Sequence, residues 1–431
     1  MLYYRLEPIL EAYQSNDQFG FRRDKRIEDV FCILENMIGR SDEWNIPLWM
    51  ISLDLRKAFD RIQHRPLFTA LLEQGVPNSY VQLLAALYEN QQGCVNGSRM
   101  FLIQRGVKQG DVLSSLLFNA GLEAAFISWR SKLRTHGFLL HSDMSRLTNV
   151  RYADDVMLFA KSEEELTEMT ELLVEAFGNV GLELNAAKSK VLTNDNITFS
   201  FLDIADNLVS VIEAGAHHKY LGRYLSGEFV FREVTEINPR IQCAWHKFGL
   251  NASIFCNRDI AIHLRLKFFD AIITPTILFG IAILPLSAAS LEKIEVVQRK
   301  MLRKIVGWIR LKDEAWDVTM HRMKDRVEDA LLRHPVMLWK ERIAKYLWKF
   351  IVRVKKAPCD QWISLSSKWF PNECEDESSE FYAYRVRGRP YLKWDDVVSR
   401  FCQIRFNQSW QNVPLDVFCT SADDFISFFC S

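Results

Sequence analysis

Apolar residues recur at helical and strand-like spacing along the first half of the chain. One helical stripe consists of Ile27, Val30, Phe31, Leu34 and Ile38. The same spacing predicts two helices joined by a turn within 67–88, and single helices over 113–133 and 162–180. Short apolar runs at 51–53 and 156–160 predict buried strands. Helices and strands in this order predict an α+β fold, in which an antiparallel sheet carries helices on one face.

From about residue 230 the pattern becomes mainly helical and the charge becomes basic. Between residues 241 and 356 the chain holds 22 Lys and Arg against 11 Asp and Glu, although the whole chain has a formal net charge of +0. A basic helical region suits a phosphate backbone, and the alternative is a set of helices whose solvent faces happen to be basic. Three loops are also predicted: a hairpin turn at Asn96-Gly97, an acidic linker at 372–380 and a basic turn at 385–390.

The composition is that of a soluble protein with two or three domains. The chain has 431 residues, of which 48% are hydrophobic and 25% are charged. Its nine cysteines include no Cys-x-x-Cys pair and no secretory signal precedes them, so we expect no zinc site and an intracellular location, in the nucleus or cytoplasm. The uncharged stretch 271–291 could span a bilayer by length, but Pro275, Gly280 and Pro285 interrupt it, so we expect no membrane association.

Carboxylates stand directly beside two of the predicted strands. Asp54 follows one apolar run, and Asp154 with Asp155 precedes another. Charged groups beside buried strands cost free energy unless they bind a cation or a partner. Carboxylates from two separate elements can hold two Mg²⁺ ions roughly 3.5–4 Å apart for phosphoryl transfer. Taken singly, each of these aspartates is more simply explained as a turn residue or a helix N-cap.

Six segments, in this order, resemble the motifs of non-LTR retrotransposon (LINE-like) reverse transcriptases. They are 18–22 (QFGFR), 54–60 (DLRKAFD), 105–119 (RGVKQGDVLSSLLFN), 152–155 (YADD), 181–190 (GLELNAAKSK) and 220–222 (YLG). The resemblance implies a right-hand polymerase. Fingers and palm would occupy 1–230, a helical basic thumb 231–356, and a C-terminal helical tail region 357–431.

The resemblance also implies the catalytic residues. Asp54 and Asp154 would be the main ligands of two Mg²⁺ ions, with Asp155 assisting and with Mn²⁺ able to substitute. Lys188 would protonate the leaving pyrophosphate, although an exposed Lys is usually only solvated surface.

Four further positions would bind substrate. Phe59 stands where the family places the ring that excludes a 2′-hydroxyl, the group that separates RNA from DNA building blocks; core packing is its simpler and compatible explanation. Gln109 and Gly110 would lie under the incoming nucleotide and template base. Arg22, in the first of the six segments, would also contact substrate.

The implied activity is RNA-directed DNA synthesis. The partners would be an RNA template, a DNA primer or target, and deoxynucleotide triphosphates. Val112 and Ser115 stand where the family usually has Pro, which fixes φ, so this loop is expected to differ in shape. The chain also starts just inside the family's fingers region, which predicts an N-terminally truncated protein. The alternatives are a catalytically inactive transposon-derived remnant that retains RNA binding, and a Mg²⁺ nuclease that uses the same carboxylates.

Overall fold

The structure, a computed structural model, describes residues 1–94, 100–141, 146–213, 216–226, 232–371, 385 and 392–431. Contacts along the chain divide it into two units. The first is Met1–Phe229 with Cys359–Gly388, and the second is Val230–Pro358 with Arg389–Ser431. The region 357–431, predicted as one piece, is therefore divided between the two units. The predicted turn Asn96-Gly97, the predicted linker 372–380 and most of the predicted basic turn 385–390 lie outside the described residues.

Both units are built largely from helices, and the strands lie in the first unit. The strands are β1 (Trp49–Leu53), β2 (Gln92–Gly93), β3 (Phe101–Leu102), β4 (Asn149–Tyr152), β5 (Asp155–Ala160), β6 (Lys190–Thr193), β7 (Phe201–Ile204), β8 (Asn207–Val211), β9 (His217–Tyr220) and β10 (Arg223–Ser226). The first seven helices are α1 (Leu2–Tyr13), α2 (Ile27–Trp44), α3 (Ala58–Arg61), α4 (His64–Glu73), α5 (Asn78–Tyr88), α6 (Val112–Lys132) and α7 (Glu163–Asn179). The later helices are α8 (Arg232–Leu250), α9 (Ala252–Phe255), α10 (Ile262–Ile272), α11 (Thr274–Leu278), α12 (Ala288–Val306), α13 (Trp316–Arg333), α14 (Trp339–Lys356), α15 (Trp362–Lys368), α16 (Asp396–Phe406), α17 (Leu415–Thr420) and α18 (Ala422–Cys430).

A six-stranded sheet in the order β4-β5-β1-β6-β8-β7 forms the centre of the first unit. Its neighbours are antiparallel, as predicted, except that β6 and β8 are parallel. The sheet is therefore mixed rather than purely antiparallel. The chain reverses direction between β6 and β7 and again between β7 and β8. Because β8 lies between β6 and β7 in the sheet, it pairs with β6 in the parallel direction. The predicted α+β class is confirmed.

Helices cover both faces of the sheet, whereas one covered face was expected. Trp49, Ile51 and Leu53 of β1 belong to an apolar cluster that also contains residues of α6 and α7. Met50, between them, belongs to a second cluster that contains residues of α2 and α15. Because successive side chains of a strand point to opposite faces, a strand that is apolar at every position is buried on both. Two-sided packing therefore explains the apolar run 156–160 of β5 and the burial of all of β1, which includes one polar side chain, Ser52.

The described elements of the second unit are helices, and the apolar face of α12 is buried. Ile294, Val297 and Met301 are buried, while Lys300 and Lys304 on the other side of the helix are exposed. An aromatic cluster joins α14 to the C-terminal helices. Trp348 stacks on Phe418 with ring centroids 4.1 Å apart, and such pairs add to the free energy gained from burial.

Two segments within the described ranges are long and apolar enough to cross a membrane by length and composition alone. They are Val112–Lys132 and Ile262–Ile283, and 67% and 56% of their most apolar windows are buried inside the protein. The second overlaps the stretch for which we expected no membrane association. It is interrupted near Pro275, where α11 begins, and at Gly280, which has a positive φ of 57°.

Candidate active site

The sheet brings the predicted catalytic carboxylates to one end of its central strands. Leu53 of β1 pairs with Val156 of β5, so the register continued by one residue sets Asp54 opposite Asp155. Asp154 lies in the tight turn between β4 and β5. The charge of Asp54 acts on both Asp154 and Asp155. Asp54 thus shares one site with two adjacent acids that lie about 100 positions later in the sequence.

The site disfavours the ionised forms of Asp154 and Asp155. The surrounding protein desolvates Asp155, although one side of it stays exposed, and with the charges of Asp154 and Asp54 this raises the pKa of Asp155 to about 6. Desolvation, with a further contribution from Asp54, also raises the pKa of Asp154. Since like charges and desolvation disfavour ionised carboxylates, a bound cation would relieve both effects.

Asp54 is held in place by a residue that the sequence did not single out. Asn185 donates from Nδ2 to Asp54 Oδ2 at 2.8 Å, and its backbone N–H donates to the Asp54 carbonyl at 2.8 Å. The Asp54 backbone N–H donates to Ser189 Oγ at 3.1 Å. Lys188, predicted to donate a proton, is exposed on this same turn, and its N–H bonds to the Asn185 carbonyl. The only signal for Asn185 in the sequence was its position inside segment 181–190.

The donor set fits Mg²⁺ when water or substrate supplies the remaining ligands. No group of three or more His, Cys, Asp or Glu side chains in the described part of the chain is close enough to hold a metal ion without further ligands. Asn185 occupies one oxygen of Asp54 and leaves the other available. Mg²⁺ in phosphoryl-transfer sites is typically bound by one or two carboxylates together with water and substrate phosphates. Asp54, Asp154 and Asp155 supply oxygen ligands of this kind.

Phe59 is the centre of a small aromatic group close in sequence to Asp54. Its ring stacks on Phe118 with centroids 4.3 Å apart, and Phe21 meets it edge-on at 6.1 Å. Its backbone carbonyl accepts a hydrogen bond from Val107 at 2.7 Å. Packing thus fixes one side of the half-buried ring and restricts its movement.

The loop at 105–111 is anchored at its base and open at its tip. Gly106 has a φ of +90° and donates from its N–H to the Ile62 carbonyl at 2.7 Å. A Cβ at Gly106 would lie 2.7 Å from the Asp60 carbonyl oxygen, so the close approach requires glycine. Gln109 and Gly110 are exposed, and space around Gly110 is open. Their predicted contact with substrate stays a prediction.

Side-chain hydrogen bonds support the start of α6 where the family usually has Pro. Asp111 is its N-cap and accepts from the Leu113 N–H at 3.1 Å. Ser115 Oγ donates to the Val112 carbonyl at 3.2 Å. The Asp111 cap satisfies one of the N–H groups that lack an intrahelical partner at a helix start.

Arg22 is engaged within the protein. Its guanidinium forms an ion pair with Glu11 at 2.8 Å and donates to the carbonyls of Ser15 and Gln18 at 2.5 and 3.0 Å. This geometry favours a structural role that ties α1 to the following loop. The predicted contact of Arg22 with substrate stays a prediction, and the structure does not bring it to the carboxylates by any described contact.

A buried ionic cluster lies directly behind the turn that carries Asp154. Arg151 is fully buried, and it donates to Asp17 at 2.9 Å and to Glu123 at 2.6 Å. Arg130 donates to the same two carboxylates. Burial opposes ionisation of Asp17, but the positive charges of Arg151 and Arg130 outweigh it and hold the pKa of Asp17 well below its usual range. Sequence reasoning missed this cluster because its members are far apart along the chain.

The hairpin of β9 and β10 contains 220–222, the last of the six segments that carry the resemblance, and it approaches the acids. Leu221 and Gly222 form its turn, both with positive φ, as a two-residue hairpin turn requires. A ring nitrogen of His218 lies 3.1 Å from Ser52 Oγ, and burial, with the nearby charge of Lys190, lowers the pKa of His218 to about 4. His218 is therefore neutral at neutral pH. Burial and the charge of Asp155 raise the pKa of Tyr220 well above its usual value.

We expect Asp155→Asn to stabilise the metal-free protein at pH 7.5 by about 1 kcal/mol, after allowing for solvent screening. Because the folded-state pKa of Asp155 is raised to about 6, its ionisation costs stability; this cost is full above pH 6 and disappears as the pH falls towards 4. Thermal unfolding without divalent ions would show a higher midpoint for the variant at pH 7.5 than for the wild type. Asp203→Asn, on the exposed side of β7, is the control. Equal midpoints for Asp155→Asn and wild type at pH 7.5 would contradict this account.

A profile of the family described as reverse transcriptase (RNA-dependent DNA polymerase) matches residues 1–224. The match includes β1, the turn that carries Asp154 and Asp155, the loop at 105–111 and the turn of the β9–β10 hairpin. All six segments that carry the resemblance lie inside it.

The curated relatives come from mobile elements. An uncharacterized transposon-derived protein of Caenorhabditis elegans is 28% identical over 256 residues, which cover 58% of this chain and 83% of that protein. A retrovirus-related Pol polyprotein from the type-2 retrotransposable element R2DM of Drosophila melanogaster is 30% identical over 40% of this chain and 16% of the polyprotein. The RNA-directed DNA polymerase from mobile element jockey of Drosophila funebris is 23% identical over 74% of this chain and 35% of that protein. The chain thus spans about a third or less of these two retroelement proteins.

Among solved structures, telomerases are similar to this chain. Apo telomerase from Candida tropicalis has a TM-score of 0.41 and 11% sequence identity, over 86% of this chain and 61% of that chain. Telomerase from Candida albicans in complex with a fragment of telomeric RNA has a TM-score of 0.35 and 15% identity, over 77% and 54%.

Proposed function

Because the chain belongs to the reverse transcriptase (RNA-dependent DNA polymerase) family, we propose that it is the polymerase core of a non-LTR retroelement. It extends the 3′-hydroxyl of a DNA primer with deoxynucleotide triphosphates on an RNA template. The observation that carries the proposal is the convergence of Asp54 with Asp154 and Asp155 at the end of paired strands. We also propose that the protein acts in the nucleus or cytoplasm, where these substrates occur.

The proposed chemistry is two-metal nucleotidyl transfer. When bound, divalent ions activate the attacking hydroxyl and neutralise charge on the leaving pyrophosphate. Asp54 and Asp154 are the main ligands in this proposal, with Asp155 assisting, and Asn185 keeps Asp54 in its rotamer. Lys188, exposed on the turn that contacts Asp54, delivers a proton to the pyrophosphate. Mg²⁺ is the proposed ion, and Mn²⁺ would be able to substitute for it.

The exposed loop tip supports a role for Gln109 and Gly110 under the incoming nucleotide. Glycine lets backbone approach a ligand closely, and nothing lies within 4 Å of a Cβ built at Gly110. The helical region 231–356, which is part of the second unit, is proposed to be a thumb that contacts the phosphate backbone. Its exposed Lys300 and Lys304 on α12 support this, since phosphate neutralisation by such residues dominates nucleic-acid affinity.

The test is extension of a labelled DNA primer on an RNA template by the purified full chain with Mg²⁺. We expect templated products that require all four deoxynucleotides and disappear with a chelator. RNA binding by folded protein without extension would contradict the proposal and support the inactive remnant. Cleavage of the primer or template without added nucleotides would instead support a Mg²⁺ nuclease.

We expect Phe59→Val to weaken discrimination against ribonucleotides by about 10- to 100-fold. The stacked ring of Phe59 would otherwise clash with a 2′-hydroxyl, and valine removes most of that ring while keeping an apolar contact with Phe118. The measurement is the ratio of kcat/KM for a deoxynucleotide to that for its ribonucleotide in single-nucleotide extension. Phe68→Val is the matched control, because Phe68 packs beside Tyr88 in another aromatic group. A ratio that is unchanged in Phe59→Val would remove Phe59 from this role.

A further inference from the structure

The turn that presents Asp154 and Asp155 begins with a strained residue. Ala153 has a φ of +58°, in the left-handed region that residues with a Cβ rarely adopt. It is the first residue of a two-residue hairpin turn, where a positive φ usually calls for glycine. Such a conformation persists only when neighbouring groups hold it.

The side chain of Gln18 holds both backbone groups of this residue. Its Oε1 accepts from the Ala153 N–H at 3.0 Å, and its Nε2 donates to the Ala153 carbonyl at 3.3 Å. The same Oε1 accepts from the Gly20 N–H at 2.9 Å. Gln18 is completely buried, so water cannot replace these bonds without disruption.

The segment that contains Gln18 is itself fixed against β4 and α6. The Phe19 N–H donates to the Arg151 carbonyl at 2.8 Å, which aligns the segment with the end of β4. A Cβ at Gly20 would lie 2.2 Å from the Ala153 nitrogen, so the two backbones are in direct contact. Asn119 of α6 donates to the Gly20 carbonyl at 2.9 Å. The carboxamide of Gln18 is therefore presented to Ala153 from a rigid support.

We propose that Gln18 is a positioning residue for nucleotidyl transfer. Its carboxamide keeps Ala153 left-handed and so sets the direction in which Asp154 and Asp155 present their carboxylates. Gln18 itself touches neither substrate nor metal, because it is buried behind the turn. The catalytic part of this inference rests on the proposed function, whereas the effect on metal binding does not require polymerase activity.

Gln18→Met removes the three hydrogen bonds and keeps the side-chain volume. Gln74→Met is the matched control: Gln74 is 2% exposed, and its Nε2 donates to the Ala120 carbonyl of α6, away from the turn. Thermal midpoints fall in both variants. Only Gln18→Met lowers kcat for primer extension, by about 10- to 100-fold at unchanged KM for primer–template, because a misplacement of roughly 1 Å costs about 10²-fold. It also weakens Mn²⁺ binding several-fold, measured by electron paramagnetic resonance of free Mn²⁺.

Ala153→Gly combined with Gln18→Met tests the strain directly. Glycine adopts a positive φ without a Cβ clash, so the double variant regains at least part of the lost kcat. If Gln18→Met does not fold, Gln18→Asn keeps a carboxamide but is one methylene shorter, so it cannot reach both backbone groups of Ala153, and it also slows kcat.

Three results would overturn the inference. They are a Gln18→Met variant whose kcat and Mn²⁺ affinity equal those of Gln74→Met, a double variant as slow as Gln18→Met, and a Gln18→Asn variant as fast as wild type. Failure of the proposed function looks different. In that case wild-type protein binds Mn²⁺ but extends no primer, and Gln18→Met still weakens Mn²⁺ binding.

Discussion

Asp154→Ala is expected to abolish RNA-templated primer extension, lowering kcat by at least about 10³-fold, because the proposed metal site loses a main ligand. The fold should survive. Desolvation and the charge of Asp54 raise the pKa of Asp154, so its ionised carboxylate destabilises the metal-free protein. Removal of this carboxylate should therefore not lower the thermal midpoint. Single-turnover extension, circular dichroism and RNA binding would be measured on the same preparation.

Asp203→Ala provides the control for Asp154→Ala. Asp203 is an exposed carboxylate on β7 of the same sheet, so its loss removes a similar charge away from the site. We expect wild-type extension from the control. Extension retained by Asp154→Ala would show that Asp154 is not a main metal ligand, and the two-metal assignment would then be wrong.

Arg151→Met is expected to destabilise the protein by about 3–5 kcal/mol, since it removes one partner from a buried ion cluster. Asp17 and Glu123 would lose the guanidinium that lies between them and would keep Arg130 together with hydrogen bonds from Ser15 and Asn149. The contact of Arg151 with the face of Phe126, 3.9 Å from the ring centroid, is lost as well. The free energy of unfolding, measured in urea at pH 7, reports the change.

The pH dependence of Arg151→Met separates charge loss from packing loss. Because Arg151 and Arg130 hold the pKa of Asp17 below its unfolded value, the ionised carboxylate stabilises the wild type above about pH 4, and this contribution is lost as the pH falls further. The deficit of the variant should therefore shrink in acid. Adding Asp17→Asn and Glu123→Gln should recover part of the stability at pH 7, because no unpaired carboxylate then remains.

Arg134→Met is the control for this experiment. Arg134 is exposed near the end of α6, and such surface substitutions usually change stability by about 0.5 kcal/mol or less. A deficit in Arg151→Met no larger than that of the control would show that the buried cluster contributes little. Primer extension by the folded fraction would be measured as well, because Arg151 pairs with Val156 directly beside the turn that carries Asp154.

Several features could be predicted from the sequence because they depend on neighbours along the chain. The apolar run 156–160 became β5, the stripe from Ile27 became α2, and Ser162 caps α7 by accepting from the Glu165 N–H at 3.2 Å. The periods of helices and strands are local, so burial of one face is written into local spacing. The order of the six segments identified the family for the same reason, since each is a short run of residues.

Other features depended on the register and packing of distant segments. No local pattern predicted which helices would pack on each face of the sheet or that β8 would be parallel to β6. Glu165 likewise uses its carboxylate for distant and neighbouring groups outside the helix, since it accepts from the N–H groups of Gly137 and Lys161.

The sequence by itself determined the secondary structure around the site, the identity of its acids and the family. Only the tertiary structure decided which residues support those acids. Asn185 meets Asp54 across 131 positions, and Gln18 meets Ala153 across 135. It likewise decided that Arg22 is bound by Glu11. The physical reason is that side-chain hydrogen bonds form between groups a few ångströms apart in space, and the pairing of strands and helices sets that distance.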